Sequence, residues 1–437
     1  MKPDNTAQYL KPAYRWYVLG LLTLVYTFNF VDRQVVVILQ EQIRADLGLM
    51  DWQLGLLSGF VFAVFYSVLG LPIAHLSERV GRKRVVAAAL AFWSLMTALS
   101  GATQNFLQLL LLRIGVGVGE AGGSPPSHSM ISDIFPRHRR ALALSIFSMG
   151  VYIGYLFAYG FGGWVAESLG WRTTFVVVGL PGVLVALIVA VTIKEPPRGL
   201  AERIESGGVE RETESDTSSA PSFGDTLRLL WSRKSFRHIA LGASLQSLAG
   251  YGIGNFVPSF IIRAHDMTIG DVGWRLALVM GVGGVIGVVS SGWISDRLAR
   301  RGDQWYVLTP AIALILTLPL TILAFSALTP GSMFLSYVPY VVLGAMWLGP
   351  SLAVTHSLVG LRQRAVASAA LFFLVNLIGL GLGPLIVGSL SDLMRPAFGD
   401  ANGLRYAIIG TALVAKVWAI THFLLASRTV AADIERT

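Results

Sequence analysis

The fold is decided by the segment Ala74-His75-Leu76-Ser77-Glu78-Arg79-Val80-Gly81-Arg82-Lys83-Arg84, together with its shorter counterpart Gly292-Trp293-Ile294-Ser295-Asp296-Arg297. Each segment follows an apolar run long enough to cross a membrane as a helix, and each contains an acidic residue directly before an arginine. A pattern that occurs twice in one chain after similar apolar runs indicates an internal repeat. The two segments therefore predict a membrane protein that consists of two similar halves.

The composition excludes a soluble protein. The 437 residues are 54% hydrophobic and 14% charged, whereas about 25% of the residues of a soluble domain are charged. Apolar stretches of about 20 residues, each able to span about 30 Å of hydrocarbon as a helix, start near Tyr14, Trp52, Arg84, Phe106, Ala141, Thr173, Phe236, Val272, Tyr306, Met333, Ala365 and Leu404. Because the strict alternation of transmembrane strands is absent, we predict an all-α membrane protein with twelve transmembrane helices in two six-helix halves.

The basic residues orient the chain. They collect in the connections that follow even-numbered spans, residues 78–84, 137–140, 297–301 and 361–364. The alternate connections, which include residues 40–51 and 393–402, hold few positive charges. Since cytoplasmic loops carry the positive excess, both termini are predicted to be cytoplasmic. The net charge of +9 is then a consequence of topology, and a nucleic-acid partner is not expected.

A polar stretch divides the chain. Residues 205–219 offer almost nothing to bury, so we expect a flexible cytoplasmic linker there. The predicted domains are an amino-terminal six-helix bundle at 1–194, the linker at 195–235 and a carboxy-terminal six-helix bundle at 236–437. Pro125 and Pro350 occupy corresponding positions in the two halves, which is a second sign of the internal repeat. Repeated halves of six spans are typical of secondary transporters, whose substrate site lies between the halves near the bilayer midplane.

Four charged residues lie inside apolar runs: Asp32, Arg33, Arg113 and Glu120. Each costs roughly 2.5–3.5 kcal/mol on insertion scales, so we expect the four to face the protein interior and to find partners. Arg113 and Glu120 are seven residues apart, which places them on one helix face about 10 Å apart along the axis. Asp32 or Arg33 fits between them.

This charge set suits proton coupling, because a carboxylate changes its proton affinity when its charged partner changes. We hypothesise that Asp32 or Glu120 carries the proton. Arg33 or Arg113 then alternates between the carboxylates and an anionic substrate group, which a guanidinium can grip bidentately. A fixed structural salt-bridge cluster is the alternative.

Other chemistry has little support. The chain has no cysteine, and His128 and His356 stand without metal-ligand spacing, so no metal site is expected. The glycine-rich run from Gly117 to Gly122 has dinucleotide-binding spacing but no preceding strand. Glycines four residues apart, such as Gly115 and Gly119, instead predict close helix packing. We expect no enzymatic activity and no cofactor. The predicted driving force for transport is a proton gradient.

The second half offers polar side chains in place of carboxylates. The weak candidates for a cavity lining are one residue of the first half and seven of the second. They are Asn29, and then Gln246, Tyr251, Asn255, Tyr337, Trp347, His356 and Asn376. Ordinary helix packing is the alternative for each of them. Lys416 lies near the middle of the last span, where it requires either snorkelling to the interface or a partner on another helix.

The segments at 74–84 and 292–297 resemble the signature loop of the major facilitator superfamily, with Ala74 in place of the usual glycine and Glu78 in place of the usual aspartate. The resemblance implies a cytoplasmic gate formed by Glu78, Arg82, Arg140 and Asp296. A basic loop without a gating role is the alternative.

Within that superfamily, the chain resembles Spinster-type transporters. The resemblance rests on Asn29-Phe30-Val31-Asp32-Arg33 in span one, on Arg113-Ile114-Gly115-Val116-Gly117-Val118-Gly119-Glu120-Ala121 in span four, and on residues 131–135. It implies a monomeric multi-pass protein of a bacterial inner membrane. Its partners would be the lipid bilayer, protons and a small amphipathic or anionic substrate of the sphingolipid or lysophospholipid type.

Three other functions stay open. One is a carrier for organic acids or sugar acids. A second is a multidrug exporter, although Ala158-Tyr159 replaces the Gly-Pro of the antiporter signature in span five. The third is a membrane receptor that does not transport.

Overall fold

A computed structural model describes residue 9 and residues 11–201, 223–360 and 363–435. Most of the predicted linker, and part of the basic connection at 361–364, lie outside the described residues. Within these ranges the chain is helical and contains no strand. The all-α fold class is confirmed.

The helices of spans one to six are named in chain order. They are α1 (Pro12–Ile38), α2 (Gln40–Leu47), α3 (Asp51–Gly55), α4 (Val61–Val80), α5 (Arg82–Ser100), α6 (Phe106–Glu120), α7 (Ser124–Ile134), α8 (Arg137–Tyr155) and α9 (Gly162–Thr192). Two π-helical segments, π1 (Leu56–Phe60) and π2 (Leu156–Phe161), lie inside spans two and five. Gly170 has a φ of 78°, a left-handed conformation that favours glycine, and there the chain turns from span five into span six.

The helices that follow begin at residue 223. They are α10 (Phe223–Ser232), α11 (Lys234–His265), α12 (Ile269–Leu278), α13 (Gly284–Ala299), α14 (Trp305–Phe325), α15 (Pro330–Gly344), α16 (Leu348–Ser357), α17 (Arg364–Leu374), α18 (Gly383–Phe398), α19 (Asp400–Ser427) and α20 (Val430–Ile434). The segments π3 (Val279–Gly283) and π4 (Val375–Leu382) lie inside spans eight and eleven.

Among the described residues, ten helical stretches are long and apolar enough to cross a membrane. One of them, residues 138–192, contains spans five and six joined at Gly170. Helix α11 has 32 residues and is long enough to span, but polar residues such as Gln246 and Asn255 make it less apolar. Together with α11, these stretches of the described residues agree with the twelve spans that the sequence predicts.

The two halves share local irregularities as well as helix order. Span four breaks after Glu120 and resumes at Ser124, and span ten breaks after Gly344 and resumes at Leu348. Prolines follow each break, where a missing N–H is tolerated in the first turn of the new helix. The π segments lie in spans two, five, eight and eleven, which are equivalent positions in a six-span repeat. The repeat is therefore visible in backbone geometry.

The chain forms two compact units. The first contains Met1–Gln42 and Val64–Ser219, and the second contains Ile43–Ala63 and Ala220–Thr437. The division at 219/220 falls inside the predicted linker. Residues 43–63, by contrast, come from the amino-terminal half of the sequence and pack with the second unit.

Candidate functional site

Helix α1 carries three of the predicted site residues. Its carboxy-terminal part, from Asn29 to Ile38, is buried throughout. A helix segment buried on all sides presents none of its charges to lipid, as the cost of a charge in hydrocarbon requires. Asp32 is fully buried and Arg33 is 7% exposed.

Arg33 pairs with Glu120 of α6. Nη2 and Nε of Arg33 donate to Oε2 of Glu120 over 2.7 Å and 3.2 Å. The guanidinium also lies 5.0 Å from the ring centre of Phe30 and 5.1 Å from that of Tyr66. Both rings supply cation–π attraction to this largely buried charge.

Arg113 lies on the same helix as Glu120 and contacts Asp32, the other acidic residue of the site. Its Nη1 donates to the main-chain oxygen of Asp32 over 3.0 Å, while Ser94 of α5 donates to the Asp32 carboxylate over 3.3 Å. Arg113 interacts electrostatically with both carboxylates. Its Nε and Nη2 have no hydrogen-bond acceptor in the part of the chain that the structure describes. All four predicted charged residues thus lie in one buried cluster.

A close contact between α6 and α5 fixes the position of Glu120. A Cβ added at Gly119 would lie 2.8 Å from Cβ and 3.0 Å from the main-chain nitrogen of Trp93. Only a residue without a side chain permits this approach, as the glycine spacing in span four predicts. Trp93 is itself fully buried.

Substituting Gly119→Ala is therefore expected to destabilise the first unit by about 1–3 kcal/mol, because the added methyl group overpacks the contact with Trp93. The thermal unfolding temperature of the purified protein in detergent checks this. Gly70→Ala in α4 is the matched control, since a Cβ there would meet no atom within 4 Å. Equal melting temperatures for the two variants would contradict the assignment.

The cluster can exchange partners. Two guanidinium groups and two carboxylates balance in charge, and Arg113 keeps two donor atoms available. Protonation of Glu120 would weaken its pairing with Arg33, because the attraction depends on the carboxylate charge. An anionic group that enters the cluster would find two arginines that can bind it bidentately.

The predicted gate residues of the first unit have local partners. Arg82 is buried and binds Asp133 and, over 3.0 Å, Glu195. Glu78 is 57% exposed and lies 3.5 Å from Arg198. Arg140 also has an interaction partner.

In the second unit, Asp296 accepts a hydrogen bond from Tyr306 over 2.9 Å. The contacts of Arg82, Glu78 and Asp296 lie within single units, and the gate itself stays a prediction.

The polar candidates of the second unit mostly serve helix contacts. Gln246 donates to the main-chain oxygen of Gly344 over 3.1 Å, at the break in span ten. Asn255 bonds to the main-chain oxygen of Tyr251 within its own helix, and His356 lies 2.6 Å from Ser368.

The aromatic candidates and the remaining polar candidate differ in their contacts and in their exposure. Tyr337 and Tyr340 stack with ring centres 5.4 Å apart. Trp347 and Asn376 are partly exposed, as are Tyr251 and His356.

Lys416 has partners on other helices. It is fully buried, its Nζ donates to Thr317 over 2.9 Å, and the ammonium lies 3.9 Å from the ring centre of Tyr340. The structure therefore excludes snorkelling and supports the alternative of an interhelical partner.

Sequence reasoning missed a second group of charges. Asp51, Arg263 and Arg395 meet at one end of the second unit, with Arg44, Asp392 and Asp400 around them. Each residue lies at the end of an apolar run, where a charge normally faces water. The available signal was the placement of these residues in connections that are poor in positive charge.

Membrane-spanning helices in repeated halves, with paired charges inside the hydrophobic core of one unit, define the secondary transporter class. The sequence profile of the Major Facilitator Superfamily matches residues 22–384. The chain belongs to this family, as the two signature segments predict.

Three comparisons place the chain within the family. An MFS-type efflux pump from Mycolicibacterium smegmatis is 33% identical over 417 residues, which cover 95% of this chain and 94% of the pump. A probable galactarate/D-glucarate transporter from Bacillus subtilis is 28% identical over 309 residues, and the match covers 67% of this chain and 67% of that transporter.

The third is a crystal structure of a bacterial homologue of the human lysosomal transporter Spinster, in an inward-facing and unoccupied conformation. It matches with a TM-score of 0.88 and 31% identity over 97% of this chain and 99% of the homologue. The predicted Spinster-type resemblance is confirmed.

Proposed function

We propose that this protein is a proton-coupled secondary transporter that works by alternating access and moves an amphipathic or anionic, lipid-like substrate. The observation that carries the proposal is the buried Arg33–Glu120 pair, 2.7 Å apart, beside Asp32 and Arg113. A buried ion pair adds little to stability by itself. Four ionisable groups inside membrane spans are therefore better explained by function.

In the proposed cycle, a proton binds Glu120 or Asp32 and releases an arginine from its carboxylate partner. The released guanidinium then binds the anionic group of the substrate. When the proton leaves, the carboxylate recovers the arginine and the substrate is displaced. The support comes from the charge balance of the cluster and from the two donors of Arg113 that have no acceptor among the described residues.

A lipid-like substrate is favoured by the resemblance to the Spinster homologue. In keeping with that resemblance, we also propose a monomer in a bacterial inner membrane, with both termini in the cytoplasm. A sugar-acid or organic-acid carrier is the second candidate. It has support from the relative described as a galactarate/D-glucarate transporter and from arginines that suit carboxylate as well as phosphate.

The test is proton flux in proteoliposomes under an imposed pH gradient. Lysophospholipids, sphingoid phosphates, sugar acids and drugs are added singly, and protein-free liposomes report leakage caused by the amphiphiles. Substrate-dependent flux with the lipids supports the leading proposal. Flux with sugar acids alone supports the second candidate, and flux with drugs alone supports an exporter. Substrate movement without proton flux overturns proton coupling.

A further inference from the structure

Helix α10 lies between the polar stretch and span seven, and it has an exposed apolar side. Phe223, Leu227 and Trp231 are four residues apart, so they lie along one side of the helix. Phe223 is 51% exposed, Trp231 is 54% exposed and Leu227 is half-buried. We name these three residues the Phe223 stripe. The protein itself leaves most of this apolar side uncovered, which marks it as a contact surface.

A second side of α10 packs on the second unit. Thr226 and Leu230 are fully buried, and Leu229 packs against the core of that unit. The side-chain oxygen of Thr226 accepts a hydrogen bond over 3.2 Å from Gln363, which directly precedes α17. These contacts fix the rotation of α10 about its own axis. The direction in which the Phe223 stripe points is therefore fixed as well.

The third side of α10 is polar and faces water. Arg228 and Asp225 lie 3.4 Å apart with side chains that are 84% and 60% exposed, and Ser232 is exposed too. At the helical period of 3.6 residues, the Phe223 stripe lies between this polar side and the packed side. A helix with Phe and Trp on one side and charged residues on another is typical of the membrane–water interface.

The position of α10 in the chain agrees with such a depth. Ser232 ends α10 and Lys234 begins span seven, with Arg233 between them in an extended conformation at a φ of −78° and a ψ of 117°. The chain therefore changes direction at Arg233, and α10 is not a continuation of the span. Its contact with Gln363 places it beside the start of span eleven. Trp and Tyr are enriched at this level of a membrane protein.

The charges next to the Phe223 stripe are basic. Lys234 is exposed and Arg237 is half-buried, both in the first turn of α11. Neither forms an ion pair with a residue that the structure describes, whereas Asp225 is balanced by Arg228. A second copy of this chain packed on the stripe would bring the same positive charges together, which is unfavourable. Anionic lipid headgroups are attracted instead.

We propose that α10 is an interfacial anchor that binds anionic phospholipid. The Phe223 stripe inserts into the leaflet on the side of the basic connections, and Lys234 and Arg237 bind the headgroup phosphate. The ammonium and the guanidinium supply charged donors to phosphate oxygens, which form strong hydrogen bonds. This surface lies outside the buried charge cluster of the transport site, and the proposal depends neither on the substrate nor on proton coupling.

Insertion of the stripe is tested by fluorescence quenching. Because the chain contains no cysteine, Phe223→Cys and Trp231→Cys each provide one site for a small fluorophore. In bilayers we expect lipids with brominated acyl chains to quench both labels and aqueous iodide to quench neither. The Arg228→Cys protein, labelled on the polar side, should show the opposite pattern. Val414→Cys calibrates quenching by lipid, since Val414 is 68% exposed on the apolar side of α19.

Selection of anionic headgroups is tested with the labelled Trp231→Cys protein. Brominated phosphatidylglycerol and brominated phosphatidylcholine are compared at equal mole fraction. We expect quenching by the anionic lipid to be about twofold or more stronger, because each basic residue near the surface attracts anionic lipid. High salt should reduce the excess by screening, and Lys234→Gln with Arg237→Gln should remove most of it. Arg275→Gln, which removes an exposed arginine of α12, should leave it unchanged, and the Val414→Cys label should not distinguish the two lipids.

Three results would overturn the anchor. Quenching of both stripe labels by iodide would place the stripe in water. Protection from both quenchers would mean that protein covers it, either a second copy or another segment of this chain. Equal quenching by the two lipids would remove the headgroup site. The measurement needs no substrate and no pH gradient, so a failure of the proposed transport function leaves its outcome interpretable.

Discussion

Glu120→Gln is expected to weaken strongly the response of transport to a pH gradient. Glutamine keeps the shape and one acceptor oxygen of Glu120, but it neither carries a proton nor attracts Arg33 by charge. Typical coupling between two bound ligands is worth about 1–3 kcal/mol, so the stimulation of flux by the gradient should fall by about 5- to 150-fold. Substrate-dependent proton flux in proteoliposomes gives the measurement, with Asp32→Asn assayed in parallel.

The control is Glu167→Gln, which removes an exposed carboxylate from the same unit and should leave flux unchanged. Counterflow of labelled substrate without a gradient separates coupling from binding, because a variant that has lost coupling alone still exchanges substrate. If Glu120→Gln and Asp32→Asn both retain gradient-driven flux, neither carboxylate is the proton carrier and the proposed cycle fails.

Arg33→Met is expected to have the largest effect on stability. It leaves the fully buried Glu120 carboxylate without its two hydrogen bonds from Arg33 and removes the cation at Phe30 and Tyr66. Breaking a buried pair by removing one partner costs about 3–5 kcal/mol, whereas replacing both partners with apolar residues of similar volume is often neutral or stabilising. The double variant Arg33→Met/Glu120→Met should therefore recover the stability that the single variant loses.

Thermal unfolding of the three proteins in one detergent checks this order. Arg228→Met is the control for loss of an arginine, since Arg228 and Asp225 form a pair that is 84% and 60% exposed, and exposed pairs contribute about 0–1 kcal/mol. If the double variant melts as low as the single variant, the cluster contributes to the stability of the fold. That result would favour the alternative of a fixed structural salt-bridge cluster.

The fold was predictable because its cause is simple. Lipid requires long apolar helices, and each of them left a run of about 20 residues in the sequence. Span seven shows the limit of that signal, since α11 carries polar residues such as Gln246 and Asn255 within its apolar run. The breaks after Glu120 and Gly344 and the π segments depend on contacts between helices, which composition does not encode.

The four buried charges were predictable for a related reason, because an unpaired charge in hydrocarbon is too costly to be accidental. Their pairing was not. Spacing along span four gives the distance between Arg113 and Glu120, but the axial offset between α1 and α6 is set by packing such as that of Gly119 on Trp93.

The charged cluster around Asp51, which also contains Arg44, Arg263, Asp392, Arg395 and Asp400, shows what a linear pattern conceals. Asp51 and Arg395 are separated by more than 300 positions along the chain, and each member of the cluster is an ordinary charge at the end of an apolar run. Only the fold brings them together, so no local motif marks them.

The grouping of residues 43–63 with the second unit also bears on how such a protein can be recombined or inherited. A duplication of six spans creates a sequence boundary at the linker, but here part of the first copy packs as part of the second copy's unit. A hybrid made by joining halves of two relatives at that linker would place a foreign α3 against the native α18. An added Cβ at Gly55 would lie 2.3 Å from the main-chain oxygen of Pro384, and one at Gly388 would lie 2.3 Å from that of Asp51. Compatibility at these two glycines, more than similarity of either half as a whole, would then decide which hybrids assemble.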